Sequence, residues 1–99
     1  MDIQGKNVLV FGSGISGEAA AGLLAEHGAR VILYDGNEKL NKDEISKRVP
    51  EGTQIILGGF PEDILDSLNL VVMSPGVPTD LPVVEQMKAK GIPVWGEIE

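Results

Sequence analysis

Two short runs, Asn7-Val8-Leu9-Val10-Phe11 and Leu70-Val71-Val72-Met73, are almost wholly apolar, and each stops at a loop of small residues. A strand without polar alternation has to be buried on both faces. That is the situation of a central strand in a parallel sheet covered by helices, and few other folds offer it. Between and beyond these runs, segments of strand and helix character alternate, which is the pattern of repeated strand–helix–strand units.

The segments follow in order. From Ser16 to His27, Ala19, Ala20, Leu23 and Leu24 recur at helical spacing, with Gly28 placed as a C-terminal cap. Arg30 to Tyr34 reads as a second strand ending at Asp35-Gly36-Asn37, a run of turn formers. Lys42 to Val49 is a weaker helix, and Gln54 to Leu57 a third strand stopped by Gly58-Gly59. Pro61 to Leu68 reads as a short helix with Pro61 in its first turn, and Leu81 to Lys90 as the last helix. Ile92 to Trp95 is the fifth strand. Right-handed crossovers then predict an α/β, Rossmann-like five-stranded parallel sheet of order 3-2-1-4-5 with helices on both faces, in a single domain over 1–99. In that order strands one and four are neighbours whose connections leave in opposite directions, so a crevice opens at their C-terminal edge.

Composition narrows the function. The chain of 99 residues has a formal net charge of -7 and no cysteine. Such a surface repels nucleic acid and anionic lipid, and the missing thiols exclude disulfides, thiolate metal sites and a thiol nucleophile. No apolar stretch approaches a signal peptide or a membrane span, so a cytoplasmic location is expected. Lys6 precedes the first strand and Arg30 opens the second, so both belong to the edge opposite the crevice. Lys39 and Lys42 are the only basic residues expected nearby. An anion at the crevice must therefore be held chiefly by backbone N–H groups and a helix dipole.

The loop Gly12-Ser13-Gly14-Ile15-Ser16-Gly17 has that capacity. Gly12 permits the strand-to-helix turn, Gly14 lets a pyrophosphate approach, and Gly17 allows helix and strand to pack closely. Glu18, in the first turn, would repel an anion if it faced the loop. Asp35 ends the next strand, where a carboxylate can accept from a ribose diol or from the N3–H of a uracil. It could also be a simple turn former. Ser74-Pro75-Gly76-Val77-Pro78 closes the fourth strand as a rigid turn suited to a preformed wall, or only to rigidity. His27, Met73 and Trp95 read as structural residues.

Taken together with Gly91-Ile92-Pro93-Val94-Trp95-Gly96-Glu97-Ile98-Glu99, these motifs resemble, along the whole chain, the N-terminal domain of the D-glutamate-adding Mur ligases of peptidoglycan synthesis. The resemblance implies a three-domain, Mg-dependent ligase. ATP would phosphorylate the carboxylate of UDP-N-acetylmuramoyl-L-alanine, and the amine of D-glutamate would attack the acyl phosphate. Ser13, Gly14, Ile15, Ser16 and Gly17 would serve the diphosphate. Asp35 and Gly36 would face the uracil, Gly36 through its backbone alone, and Ser74, Pro75 and Gly76 would line the other wall. No G-x-x-x-x-G-K-[ST] phosphate loop occurs, so ATP, Mg and D-glutamate would belong to domains beyond Glu99. The expectation is an N-terminal fragment that binds and does not catalyse, without catalytic or metal-ligating residues of its own. A nucleotide-sensing NAD-binding module would use the same glycine loop and acidic residue and is the alternative reading. A flavodoxin-like interaction domain without a ligand is the third.

Overall fold

The computed structural model describes residues 3–74 and 82–95. Five parallel strands form one sheet: β1 (Asn7–Phe11), β2 (Arg30–Asp35), β3 (Gln54–Leu57), β4 (Leu70–Met73) and β5 (Val94–Trp95), in the order β3-β2-β1-β4-β5. Three α-helices connect them, α1 (Ile15–Glu26), α2 (Lys42–Arg48) and α3 (Pro82–Ala89), with a 3₁₀ helix at Glu62–Ser67 between β3 and β4. The winding is the predicted one. β1 pairs with β2 from Asn7 opposite Arg30 to Phe11 opposite Tyr34, and with β4 from Val8 opposite Leu70 to Phe11 opposite Met73.

The alternation of side chains along the strands splits the core into two layers. Val10, Val31, Leu33 and Ile55 face Ala21 of α1 and Ile45 of α2. Leu9, Phe11, Val71 and Met73 face Leu65 and Leu68 of the 3₁₀ region and Val84 and Met87 of α3. Helices therefore cover both faces, which is why β1 and β4 can be apolar throughout. Val8, Leu9, Val10 and Val71 are fully buried.

Besides one-residue shifts at the ends of α1 and α2, three elements differ from the sequence reading. The Pro61–Leu68 segment winds as a 3₁₀ helix, with Pro61 at its cap and not in its first turn. Leu65 and Leu68, both buried, lie three residues apart, and a three-residue turn stacks that spacing on one side. β5 begins at Val94 and not at Ile92. Pro93 has no N–H to give the ladder, although its carbonyl accepts from Val71 N–H at 2.9 Å. β2 runs one residue further, so Asp35 is a ladder residue opposite Leu57 and not part of the turn. The Gly28 cap is as expected: φ is +87°, and its N–H donates to the Ala25 carbonyl at 2.9 Å.

Candidate functional site

At the C-terminal edge, the end of β1 lies between the ends of β2 and β4, at the switch in winding direction. The chain leaves Phe11 through Gly12, Ser13 and Gly14 and enters α1 at Ile15. Gly14, the residue preceding the helix, has φ +100° and ψ -176°, a conformation that glycine alone adopts without strain. No side chain caps α1. The N–H groups of Ile15, Ser16 and Gly17 have no acceptor among the described residues, and the first helical bond runs from Glu18 N–H to the Gly14 carbonyl at 2.9 Å. The positive end of α1 thus presents successive unpaired donors to the crevice.

Gly17 is buried against the loop it follows. A Cβ there would lie 2.1 Å from the Gly12 carbonyl oxygen, so the helix packs on the strand end at a distance only glycine permits. Ile15 is 88% exposed at the lip of the crevice, and Ser16 is exposed beside it.

Asp35 stands at the end of β2, partly buried. Its Oδ2 accepts from both Ser13 N–H (2.9 Å) and the Ser13 hydroxyl (2.7 Å), and its Oδ1 accepts from Asn37 N–H at 2.9 Å. Burial pulls its pKa upward, but the donors of Ser13 and Asn37 together outweigh it and hold the carboxyl below the usual range. Gly36 is exposed in the turn that follows. Next to Asp35, Tyr34 donates its hydroxyl to the Gly58 carbonyl and packs edge-on against Phe11 and Phe60, each with ring centroids 5.0 Å away. Burial first, and then the Asp35 charge, raise the pKa of this phenol.

On the other flank, Ser74 N–H donates to the Phe11 carbonyl at 3.0 Å and its buried hydroxyl donates to the Gly12 carbonyl at 2.8 Å. Its hydroxyl proton is therefore turned into the protein. Pro75 and Gly76, the rest of that expected wall, lie outside the described residues, as do Gly96-Glu97-Ile98-Glu99. The crevice brings together Ser13, Gly14, Ile15, Ser16, Gly17, Asp35, Gly36 and Ser74.

One participant escaped the sequence reading. Arg48, in the last turn of α2, reaches Glu18 in the first turn of α1, with Nε 2.7 Å from Oε2. The carboxylate expected to oppose an anion is thereby neutralised and largely covered. A separation of 30 residues between two helices left no signal in the sequence. Elsewhere, a cavity of about 390 Å³ lies at the opposite, N-terminal edge of the sheet, between Asn7, Ala29, Arg30, Glu51, Thr53 and Gln54. None of the loop residues lines it. Among the described residues no three His, Asp or Glu side chains gather as a metal site, and no helix is long and apolar enough to cross a membrane.

The winding order, the switch-point crevice and a glycine loop opening a helix define a Rossmann-type α/β domain. A crystal structure of shikimate dehydrogenase from Aquifex aeolicus shares this fold, with a TM-score of 0.64 at 17% identity over 96% of this chain and 43% of that one. The particular family is narrower: the chain belongs to the family described as Mur ligase MurD-like, N-terminal domain, whose model matches residues 6–96. It is 50% identical over 100 residues to the UDP-N-acetylmuramoylalanine–D-glutamate ligase of Lachnospira eligens, covering all of this chain and 22% of that protein. The enzyme of the same name from Lachnoclostridium phytofermentans is 50% identical over 101 residues, and that from Shouchella clausii 40% over 98. The chain spans about a fifth of the length of these curated relatives (22%).

Proposed function

We propose that this chain is the UDP-holding domain of a longer ligase, one that joins D-glutamate to UDP-N-acetylmuramoyl-L-alanine at the expense of ATP. The reading places the diphosphate at Ser13, Gly14, Ile15, Ser16 and Gly17, the uracil at Asp35 and Gly36, and the second wall at Ser74, Pro75 and Gly76. The observation that carries it is the row of N–H groups at Ile15, Ser16 and Gly17, without an acceptor among the described residues and beside the Asp35 carboxylate, in a chain that matches the family over residues 6–96. The sequence carries no G-x-x-x-x-G-K-[ST] phosphate loop, and on this reading ATP and Mg would be held by the remainder of the longer protein. On this reading the 99-residue chain binds substrate and performs no chemistry. A cytoplasmic setting, where the nucleotide-linked precursor and ATP meet, goes with it.

The affinity of the chain by itself should be low. Hydrogen bonds to a charged group contribute about 1.5–3 kcal/mol each, so three amides supply on the order of 5–9 kcal/mol. Lost translational and rotational freedom offsets at least about 4 kcal/mol of this. What remains, about 1–5 kcal/mol, corresponds to a Kd of a few tenths of a millimolar or weaker. The test is an amide-resolved NMR titration with UDP-N-acetylmuramoyl-L-alanine and, in parallel, with NAD. Shifts at Gly14 to Gly17, Asp35 and Ser74 with the UDP ligand alone are the expected result. The same shifts with NAD alone would move the chain to a dinucleotide-binding role, and ATP hydrolysis by the purified chain would overturn the claim that it lacks chemistry.

A further inference from the structure

We propose that Asp35 is a positioning residue for the glycine loop: through Ser13 it holds the conformation in which the Ile15, Ser16 and Gly17 amides converge, and so governs phosphate binding without touching phosphate. The phosphate half of this statement rests on the function proposed above. The positioning half stands on geometry alone.

Ser13 lies between two residues with positive φ, Gly12 at +108° and Gly14 at +100°. Glycine is the residue least constrained by its own sterics, so the loop has a soft joint on each side of Ser13. Something other than local preference must fix Ser13, and the carboxylate of Asp35 does so twice, at 2.9 Å to its N–H and 2.7 Å to its hydroxyl. That carboxylate is itself immobilised. Its other oxygen accepts from Asn37 N–H at 2.9 Å. The Asp35 backbone is held in the ladder opposite Leu57, and its carbonyl accepts from Gly58 N–H at 2.9 Å. A rigid path therefore runs from the sheet through the Asp35 side chain to the middle of the loop. A carboxylate has about four acceptor sites. Three carry protein donors here, which leaves about one for a ligand. Holding the loop is the larger part of what this side chain does.

The two roles open to Asp35, holding the loop and contacting a base, separate with a ligand that has no base. Binding of inorganic pyrophosphate and of UDP would be measured by NMR on the wild-type chain and on the Asp35→Ala, Asp35→Asn and Ser13→Ala variants. Amide shifts and exchange rates of the ligand-free proteins would be recorded alongside. In Asp35→Ala, pyrophosphate affinity is expected to fall about five- to thirtyfold, the scale of ordering one residue's backbone on binding instead of beforehand. Ser13 to Gly17 amides should shift and exchange faster without ligand, while those of β1 and β3 stay in place. Asp35→Asn keeps an oxygen that can accept from Ser13 and should recover part of the pyrophosphate affinity. Ser13→Ala, which keeps the N–H, should fall between. Loss of UDP affinity with pyrophosphate binding and ligand-free loop amides unchanged would overturn the proposal and leave Asp35 a base contact only. If the wild-type chain binds neither ligand, the proposed function fails. The ligand-free amides of Asp35→Ala then still decide whether the carboxylate holds the loop.

Discussion

Gly17→Ala probes the close approach of α1 to the end of β1. The added Cβ would sit 2.1 Å from the Gly12 carbonyl oxygen, 3.1 Å from the Gly12 carbonyl carbon and 3.2 Å from Ser74 Oγ. An ordinary carbon–oxygen contact is about 3.3–3.6 Å, so helix and strand end must separate by about 1.2 Å or more. Two of the three obstacles are backbone atoms, and no flexible side chain can swing aside. Overpacking of this kind costs about 1–3 kcal/mol. Displacing the Gly12 carbonyl also weakens its bond from Ser74, a loss of about 1 kcal/mol. Against this, alanine gains at most about 1 kcal/mol over glycine in a helix. The net loss is about 1–3 kcal/mol, which lowers Tm by about 5–20 °C in a domain of this size. Gly22→Ala, in the same helix, is the matched control, because nothing lies within 4 Å of its Cβ position. Only the propensity gain remains there, and the variant should be stabilised by about 0.5–1 kcal/mol. Thermal and urea unfolding followed by far-UV circular dichroism measures both. If Gly17→Ala is as stable as wild type, or the two variants move in the same direction, the close approach does not constrain the helix.

Three further outcomes follow from the same edge. Arg48 is half exposed in its pair with Glu18, so Arg48→Ala should change stability by no more than about 1 kcal/mol. It should weaken UDP binding about two- to fivefold by freeing a negative charge at the helix start, with recovery when Glu18→Gln is added; equal affinities in all three proteins would refute this. Asp35 has a lowered folded pKa, so the stability it lends is fully present above its unfolded value of about 3.9 and is lost as pH falls through the folded value. Asp35→Asn should therefore flatten the acid limb of a stability–pH profile and leave the slope between about pH 5 and 7 unaltered, and a changed neutral slope would contradict the assignment. Ser74→Ala leaves the Gly12 carbonyl without its side-chain donor and should cost about 1–2 kcal/mol, read as a lower urea midpoint; an unmoved midpoint would show that bond to be idle.

Most of the fold was legible because each strand carries its own signal. β4 begins and ends where its apolar run does, β3 has the bounds read for it from Gln54 to Leu57, and the winding order follows from handedness once the alternation is seen. The bounds failed where a local pattern admits two geometries. Leu65 and Leu68 suit either helix type by composition, and Asp35 reads as a turn former until β3 supplies Leu57 as its ladder partner. The site was legible as residue types and not as connections. Ser13 to Asp35 spans 22 positions, Glu18 to Arg48 spans 30 and Gly12 to Ser74 spans 62. Each contact depends on strand register or helix placement, which no local pattern encodes.

The winding order also explains which residue types flank the loop. A strand at the switch point has neighbours on both sides, and their own connections leave in opposite directions, so the loop after β1 passes between two strand ends. It can be tied from both flanks, and each flank offers it a different kind of group. Toward β2 the loop presents donors, the N–H and hydroxyl of Ser13, and only a side chain rich in acceptors answers both; Asp35 does. Toward β4 it presents an acceptor, the Gly12 carbonyl, and a donor short enough to fit beside Gly17 is required; Ser74 supplies it. Exchanging the two would fail on both sides, since an ionised Asp has nothing to donate toward β4, and a Ser oxygen with two lone pairs could not serve Asn37 N–H as well as the two donors of Ser13. With both ties made, the amides of Ile15, Ser16 and Gly17 are what the loop has left to offer, and none of them has an acceptor among the described residues. The acidic surface does not contradict this arrangement, because the positive end of α1 comes from the backbone and the nearest carboxylate in its first turn is already paired with Arg48.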